Sequence, residues 1–248
     1  MNYIRITKEN IDKEHICCAM SGKQSVAKKE WLKQRFDDGL VFYRSIERGK
    51  CFIEYIPAEN AWVPIEADGY LYIDCLWVSG SMKKHGYSTD LLDECIRDAK
   101  TQNKNGICIL CAEGRKREFL ADPKFLVYKG FKVADISDCG INLMYLPLSE
   151  NAELPKFKAC AKHPKADEHG FILYYTDQCP CTYYWVPKVE ETAKEHNISF
   201  KAIHITTKDA AQNVPAPVTT YALFRDGEFV TQSIQSDKKF LAMAGMEG

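Results

Sequence analysis

The sequence carries no excess of charge of either sign. Its 33 Lys and Arg stand against 34 Asp and Glu, a formal net charge of −1 over 248 residues. Without a basic surplus, neither nucleic acid nor an anionic membrane is an expected partner. No apolar run approaches the ~20 residues that a membrane-spanning helix needs. The opening Met1-Asn2-Tyr3-Ile4-Arg5 is not a basic-then-apolar leader. Internal repeats and low-complexity stretches are also missing. Cysteine is not scarce, but its 11 copies are mostly scattered singly through apolar stretches. An odd count with no leader points to reduced thiols and a cytoplasmic location.

Two familiar phosphate loops are absent as well. No G-x-G-x-x-G supports a dinucleotide site. Gly80 and Gly86 are followed by Tyr87-Ser88 rather than Lys-Ser/Thr, so this is not a Walker loop.

What is present is a globular composition, 46% apolar and 27% charged, long enough for two domains. The chain is organised around residues 71–100. Leu71 to Val78 is apolar and aromatic, with Asp74 its only charge, and reads as a buried or half-buried strand. Ser79 and Gly80 break it. From Leu91 the residues Leu92, Cys95, Ile96 and Ala99 form one stripe of a helix, with Asp90, Asp93 and Glu94 in its early turns. Between them lies Met82-Lys83-Lys84-His85-Gly86-Tyr87-Ser88. The first amides of a helix have no internal partner, a glycine lets a ligand approach the backbone, and lysines add positive charge. A phosphate is the natural occupant; a solvated turn is the plain alternative.

Before this stretch, Tyr3–Ile6 reads as a strand, Thr7–Asn10 as a cap for a first helix holding His15 to Cys18, and 25–36 as an amphipathic helix with Val26, Trp31, Leu32 and Phe36. Adjacent Cys17 and Cys18 are read as packing residues, because a vicinal disulfide is strained. Residues 40–46 and 51–57 form a hairpin about Glu47-Arg48-Gly49-Lys50. After it, Ile107 to Ala112 is a fully apolar strand suited to parallel pairing. Glu113 to Arg117 is charged and helix-forming. A short helix precedes Gly130-Phe131, and strands follow at 132–135 and 141–148.

This order, with Lys83-Lys84-His85-Gly86-Tyr87-Ser88 between strand and helix, resembles the GNAT acetyltransferases. Their Arg/Gln-x-x-Gly-x-Gly/Ala loop holds the pyrophosphate of acetyl-CoA. Gly86 matches; Lys83 replaces Arg/Gln and Ser88 the last Gly/Ala. The resemblance spans residues 1–148 and implies a mixed, largely antiparallel sheet with flanking helices. It implies acetyl-CoA as co-substrate, with pyrophosphate held by Lys83, Lys84, His85, Gly86, Tyr87, Ser88 and Thr89. Pantetheine would run along Leu76, Trp77 and Val78. It also implies direct attack by a primary amine of a small-molecule or peptide acceptor. The family's usual tyrosine acid falls on Leu126, so that acid is either missing or replaced from a shifted register by Tyr128, two residues before Gly130 and roughly on the other side of the helix, where a packing or surface role is the alternative. Asp74, sharing a strand face with Val78 by period two, is the best base, and a structural carboxylate the plain alternative. Glu54 and Glu66 are weaker candidates. Trp62 and Trp77 line either an acceptor cleft or the core.

Residues 149–168 read as a linker. Cys160, His163, His169, Cys179 and Cys181 fit no standard zinc spacing, and no metal is expected. Residues 169–248 resemble the thioredoxin-like α/β fold: strand 171–175, Cys179-Pro180-Cys181, a helix with Pro187 in its first turns, strand 198–205, Pro217 at the family's cis-proline position, and an Asp226-Gly227 hairpin. Thr182 occupies the place of the resolving cysteine. Cys179, at a helix N-terminus, is the candidate nucleophile. Pairing of the two units resembles the YoaP-type proteins. N-acetyltransferase is the first functional reading. A thiol–disulfide or thioltransfer enzyme acting through Cys179, and a non-catalytic CoA-binding protein, are the alternatives.

Overall fold

A computed structural model of the chain describes residues 1–16, 18, 22–113, 120–150 and 152–246. The vicinal pair's Cys17, and 114–117 within the charged stretch, lie outside the described residues.

The first sheet is seven-stranded. It is formed by β1 (Tyr3–Ile6), β2 (Val41–Ser45), β3 (Cys51–Pro57), β5 (Tyr70–Val78), β6 (Gly106–Ala112), β8 (Ile141–Pro147) and β7 (Lys132–Ile136), in that spatial order. Every neighbouring pair is antiparallel except β5 with β6. A short β4 (Ile65–Glu66) pairs outside this sheet with β9 (Lys156–Phe157). Helices α1 (Lys23–Phe36), α2 (Tyr87–Thr101) and α3 (Pro123–Tyr128) flank the sheet.

α2 buries Leu91, Leu92, Cys95 and Ala99, the stripe its spacing predicts, in a cluster with Leu71 and Ile73 of β5 and Ile107 and Ile109 of β6. Its outer side is tied to the sheet by Arg5, whose guanidinium donates to Asp98 at 2.7 Å. β6 is buried at every position, which is what a strand covered on both faces requires. Gly106 opens that strand where an added Cβ would meet the Leu146 carbonyl oxygen at 2.5 Å and the Tyr70 ring at 2.7 Å. Gly106→Ala is expected to cost about 1–3 kcal/mol of stability, as overpacking does. A urea midpoint unmoved by the substitution would contradict this.

The second sheet has the order β11 (Phe200–His204), β10 (Phe171–Tyr175), β12 (Tyr221–Arg225), β13 (Glu228–Thr231). β10 and β11 are parallel, and the other pairings are antiparallel. α5 (Pro180–Glu195) and α7 (Asp237–Ala244) bury Val186, Val189 and Phe240 with Leu173 and Leu223. Short helices α4 (Ala159–Lys162) and α6 (Lys208–Ala211) complete the chain.

Four expectations are corrected. Residues 7–14 form isolated turns rather than a first helix, with Thr7 and Asn10 carbonyls closing single loops. Val26 is exposed, and the buried face of α1 is instead Lys28, Trp31 and Leu32. Pro187 stands in the middle of α5, not its first turns. No described peptide bond is cis, so Pro217 is trans. Residues 149–168 are also more ordered than a plain connector, because β9 and α4 dock them. Phe157 is buried, and the Ser137 hydroxyl donates to the Ala161 carbonyl at 2.6 Å.

The two units share one apolar cluster, which includes Trp62 and Val63 from the first and Val218 and Phe224 from the second. Gln212 donates to the Ala61 carbonyl at 2.9 Å, and Lys208 to Asn60 at 2.9 Å. Thr219 Oγ1 donates to the Trp62 carbonyl. No helix among the described residues is long and apolar enough to cross a membrane.

Candidate active site

The site is built on the middle of β5. β5 pairs with β6 only from Tyr70↔Gly106 to Ile73↔Ile109; beyond Ile73 the strands part. β5 continues along β3 to Val78↔Cys51. The Ser79 amide donates to the Lys50 carbonyl at 2.9 Å. Antiparallel alternation therefore turns the Trp77 amide toward β3 and leaves those of Leu76 and Val78 facing the gap. An open edge with free donors is a template for another extended chain.

Asp74 sits at a bulge. Glu54 pairs with Cys75 and Tyr55 with Ile73, so Asp74 is the extra residue of β5. A bulge re-aims side chains. Here Tyr72, Cys75 and Trp77 come to one face, while Leu76 and Val78 pack on the other. The period-two expectation that Asp74 and Val78 share a face is thereby overturned.

Asp74 faces a cavity of about 170 Å³. Phe52, Trp62 and Trp77 give it aromatic walls, Lys28 and Glu54 a charged floor. Lys28 Nζ lies 2.6 Å from Glu54 Oε2, and both side chains are only 1% exposed. Burial opposes the Lys28 ammonium, but Glu54 outweighs it and holds the pKa above the ordinary lysine value. Burial, and then repulsion from Glu54, push Asp74 well above the carboxylate range, with Lys28 acting against them. Burial likewise raises Tyr72 and Cys75.

The other side of the cavity belongs to the second unit. The turn before α5 lies over β5, with Gln178 Nε2 donating to the Asp74 carbonyl at 3.4 Å. Thr220 Oγ1 donates to Gln178 Oε1 at 2.9 Å. Cys179, Pro180 and Cys181 line the cavity. Cys179 is the N-cap of α5, and Cys181 lies in its first turn, where the helix dipole favours an anion. The Cys179 thiol donates to Cys181. That bond, aided by Lys50 and opposed by burial, brings the Cys181 pKa down to about 7. Cys179 is pushed up by the same bond and by burial. Of the two thiols Cys181 is the more readily ionised, whereas the sequence pointed to Cys179. The described cysteines form no disulfide, and no three His, Cys, Asp or Glu among the described residues are disposed to hold a metal.

At the far end of β5, residues 80–82 form a 3-10 turn and Gly86 is the N-cap of α2, with φ 81 and no side-chain cap. Lys83, Lys84, His85 and Gly86 are exposed, and nothing lies within 4 Å of a Cβ added at Gly86. The left-handed φ favours glycine there; the Thr89 amide bonds the Gly86 carbonyl at 2.8 Å, which leaves those of Tyr87 and Ser88 without a backbone partner among the described residues. Lys84, at φ 68, adds a second left-handed residue to the loop. His85 stacks on Tyr87, ring centroids 5.3 Å apart. Ser88 and Thr89 follow in the first turn of α2.

Not every candidate reaches the cavity. Tyr128 is 81% exposed, its ring near Lys129 Nζ. It ends the six-residue α3, whose inward position is taken by the fully buried Leu126. Tyr128 therefore cannot reach the cavity. Glu54 is committed to Lys28, and Glu66 pairs with Lys156 at 2.9 Å on the β4–β9 ribbon. Sequence reasoning missed Lys28, Gln178 and Thr220. Lys28 was detectable: it stands three and four residues before Trp31 and Leu32, on the apolar stripe of α1.

A model of the YoaP-like family matches residues 199–241. The chain belongs to the YoaP-like family of N-acetyltransferases. It is 45% identical over 244 residues, 97% of each chain, to the uncharacterized N-acetyltransferase YoaP of Bacillus subtilis (strain 168). Among solved structures it resembles the ribosomal-protein-alanine N-acetyltransferase of Brucella melitensis. That match has 14% identity and a TM-score of 0.44, over 60% of this chain and all of that one. It also resembles a GNAT family acetyltransferase of Brucella melitensis in complex with acetyl-CoA. Identity there is 11% and the TM-score 0.39, over 64% of this chain and 96% of that one.

Proposed function

We propose that the protein transfers the acetyl group of acetyl-CoA to a primary amine. Residues 1–148 act as the GNAT acetyltransferase unit, 149–168 as a docked connector and 169–248 as a thioredoxin-like unit. The observation that carries the reading is the parting of β5 from β6 after Ile73, beside a cavity holding an unusually basic carboxylate. A pantetheine arm alongside Leu76, Trp77 and Val78 takes up the free strand edge. The amides of Leu76 and Val78 are placed to stabilise a tetrahedral oxyanion. The diphosphate falls on the first turn of α2, from Lys83 to Thr89, where open amides and two lysines favour it. In the cavity Asp74 accepts the proton of the attacking amine. Its pKa, raised by burial and by Glu54, makes it a stronger base than an ordinary carboxylate.

The relative's name supports acetyl transfer. Asp74 in the cavity favours catalysis over mere CoA sensing. A thiol–disulfide enzyme acting through Cys179 is less well supported, since the Cys179 thiol is pushed up rather than down.

Calorimetric titration tests the reading directly. The protein is expected to bind acetyl-CoA, and Gly86→Val to weaken binding at least ~10-fold, about 1.4 kcal/mol. A β-branched residue is strained at this φ and covers the amides. No heat with the unsubstituted protein would overturn the assignment.

A further inference from the structure

The cysteine turn of the second unit lines the cavity that it shares with the first. We propose that Cys181 is an acetyl acceptor: it takes the acetyl group from acetyl-CoA as a thioester and passes it to the amine bound in the same cavity. The inference rests on the acetyl-transfer reading and adds a covalent stop to it.

Placement is the main argument. Cys181 and Leu76, Trp77 and Asp74 line one cavity. Gln178, three residues before Cys181, is held on the Asp74 carbonyl. Lys50, whose charge favours the Cys181 thiolate, holds the Ser79 amide through its own carbonyl. Lys50 and Leu76, whose amide faces the gap, line the same cavity as Cys181. Thr182 fixes the turn by donating to the Thr176 and Cys179 carbonyls, at 2.9 and 2.6 Å. Cys179, donating to Cys181, serves as a positioning residue. The more obvious use of such a turn, metal binding, finds no third ligand among the described residues.

The chemistry closes without a further reactant. The Cys181 thiolate attacks the acetyl carbonyl of acetyl-CoA; the new carbon–sulfur bond forms and the bond to CoA sulfur breaks. CoA leaves as a thiolate and takes a proton from water. One thiolate replaces another, so this step needs neither a base nor an acid. In the second step the amine attacks the acetyl-enzyme, Asp74 takes its proton, and the Cys181 thiolate is restored. Covalent catalysis of this kind splits one transfer into two.

The full-length protein, kept reduced, is mixed with acetyl-CoA without any amine, quenched in acid and weighed intact. One acetyl group is expected per chain. It should be removable by hydroxylamine, as a thioester is and an amide is not, and should map to the peptide bearing Cys181. Labelled CoA should exchange into acetyl-CoA in the same mixture. Cys181→Ala should abolish adduct and exchange while its calorimetric acetyl-CoA affinity stays unchanged, which shows the fold intact. Cys179→Ser should keep the adduct but form it more slowly at neutral pH. Protein that binds acetyl-CoA and acetylates an amine, yet gives neither thioester nor exchange, overturns the relay and leaves the acetyltransferase reading standing. Protein that binds no acetyl-CoA overturns both.

Discussion

Asp74→Asn lowers kcat/KM for the amine about 10²–10⁴-fold at neutral pH, the usual worth of a positioned general base. This corresponds to roughly 3–5 kcal/mol in the barrier. Acetyl-CoA affinity stays as it was, because the diphosphate corner lies beyond the other end of the gap. The unsubstituted enzyme's kcat/KM rises with pH through the Asp74 pKa, which burial and Glu54 place well above the ordinary carboxylate range. The Asn variant loses that limb.

Stability moves the other way. A carboxyl whose folded pKa is raised binds more protons folded than unfolded, so its ionisation works against the fold. The penalty is absent below the unfolded value of about 3.9 and grows as pH climbs towards the folded pKa. Asn carries no charge, so Asp74→Asn is at least as stable as the parent at neutral pH and no different in acid. Kinetics at varied pH and urea unfolding at two pH values check both halves. A variant with full activity, or one markedly less stable at neutral pH than in acid relative to the parent, would remove Asp74 from its role.

Lys28→Met destabilises the protein by about 3–5 kcal/mol, because it leaves the buried Glu54 carboxylate without its partner. Both side chains are 1% exposed and 2.6 Å apart, so the surface discount for ion pairs does not apply. The double variant Lys28→Met with Glu54→Gln recovers most of the loss, since the cost lies in the unpaired charge rather than in the missing attraction. Lys28 also opposes the rise of the Asp74 pKa. With Lys28 gone and Glu54 kept, the activity profile of whatever protein remains folded shifts to higher pH. Urea unfolding of the parent and the two variants measures the first effect. Equal stability of Lys28→Met and parent would mean that the pair is hydrated.

Much of the first unit was legible because its elements are regular. β5, β6 and the apolar stripe of α2 follow from alternation, continuous apolarity and 3.6-residue spacing, and each depends on local sequence. The strand-to-helix loop at Gly86 was legible for the same reason: Gly86 and the lysines before it are adjacent in the chain. What escaped was set by tertiary contact. The bulge at Asp74 arises from the register of β5 against β3, which no single strand announces. Residues 7–14 have the polar cap of a helix but stop at single turns. The ranking of Cys179 over Cys181 followed a spacing habit. The order that the electrostatics favours depends on the hydrogen bond between the two thiols and on Lys50, about 130 residues earlier in the chain. Tyr128 lies on the side of α3 opposite Leu126, where the 3.6-residue count put it; its candidacy came from the family resemblance alone.

The seam between the units has a consequence for how acceptor preference can change. Trp62 and Val63 share one apolar cluster with Val218, and Gln178 is clasped to Asp74. A change in the shape of that cavity therefore draws on two distant stretches of the gene. A first half transplanted alone would carry its transfer chemistry into solvent with one wall missing.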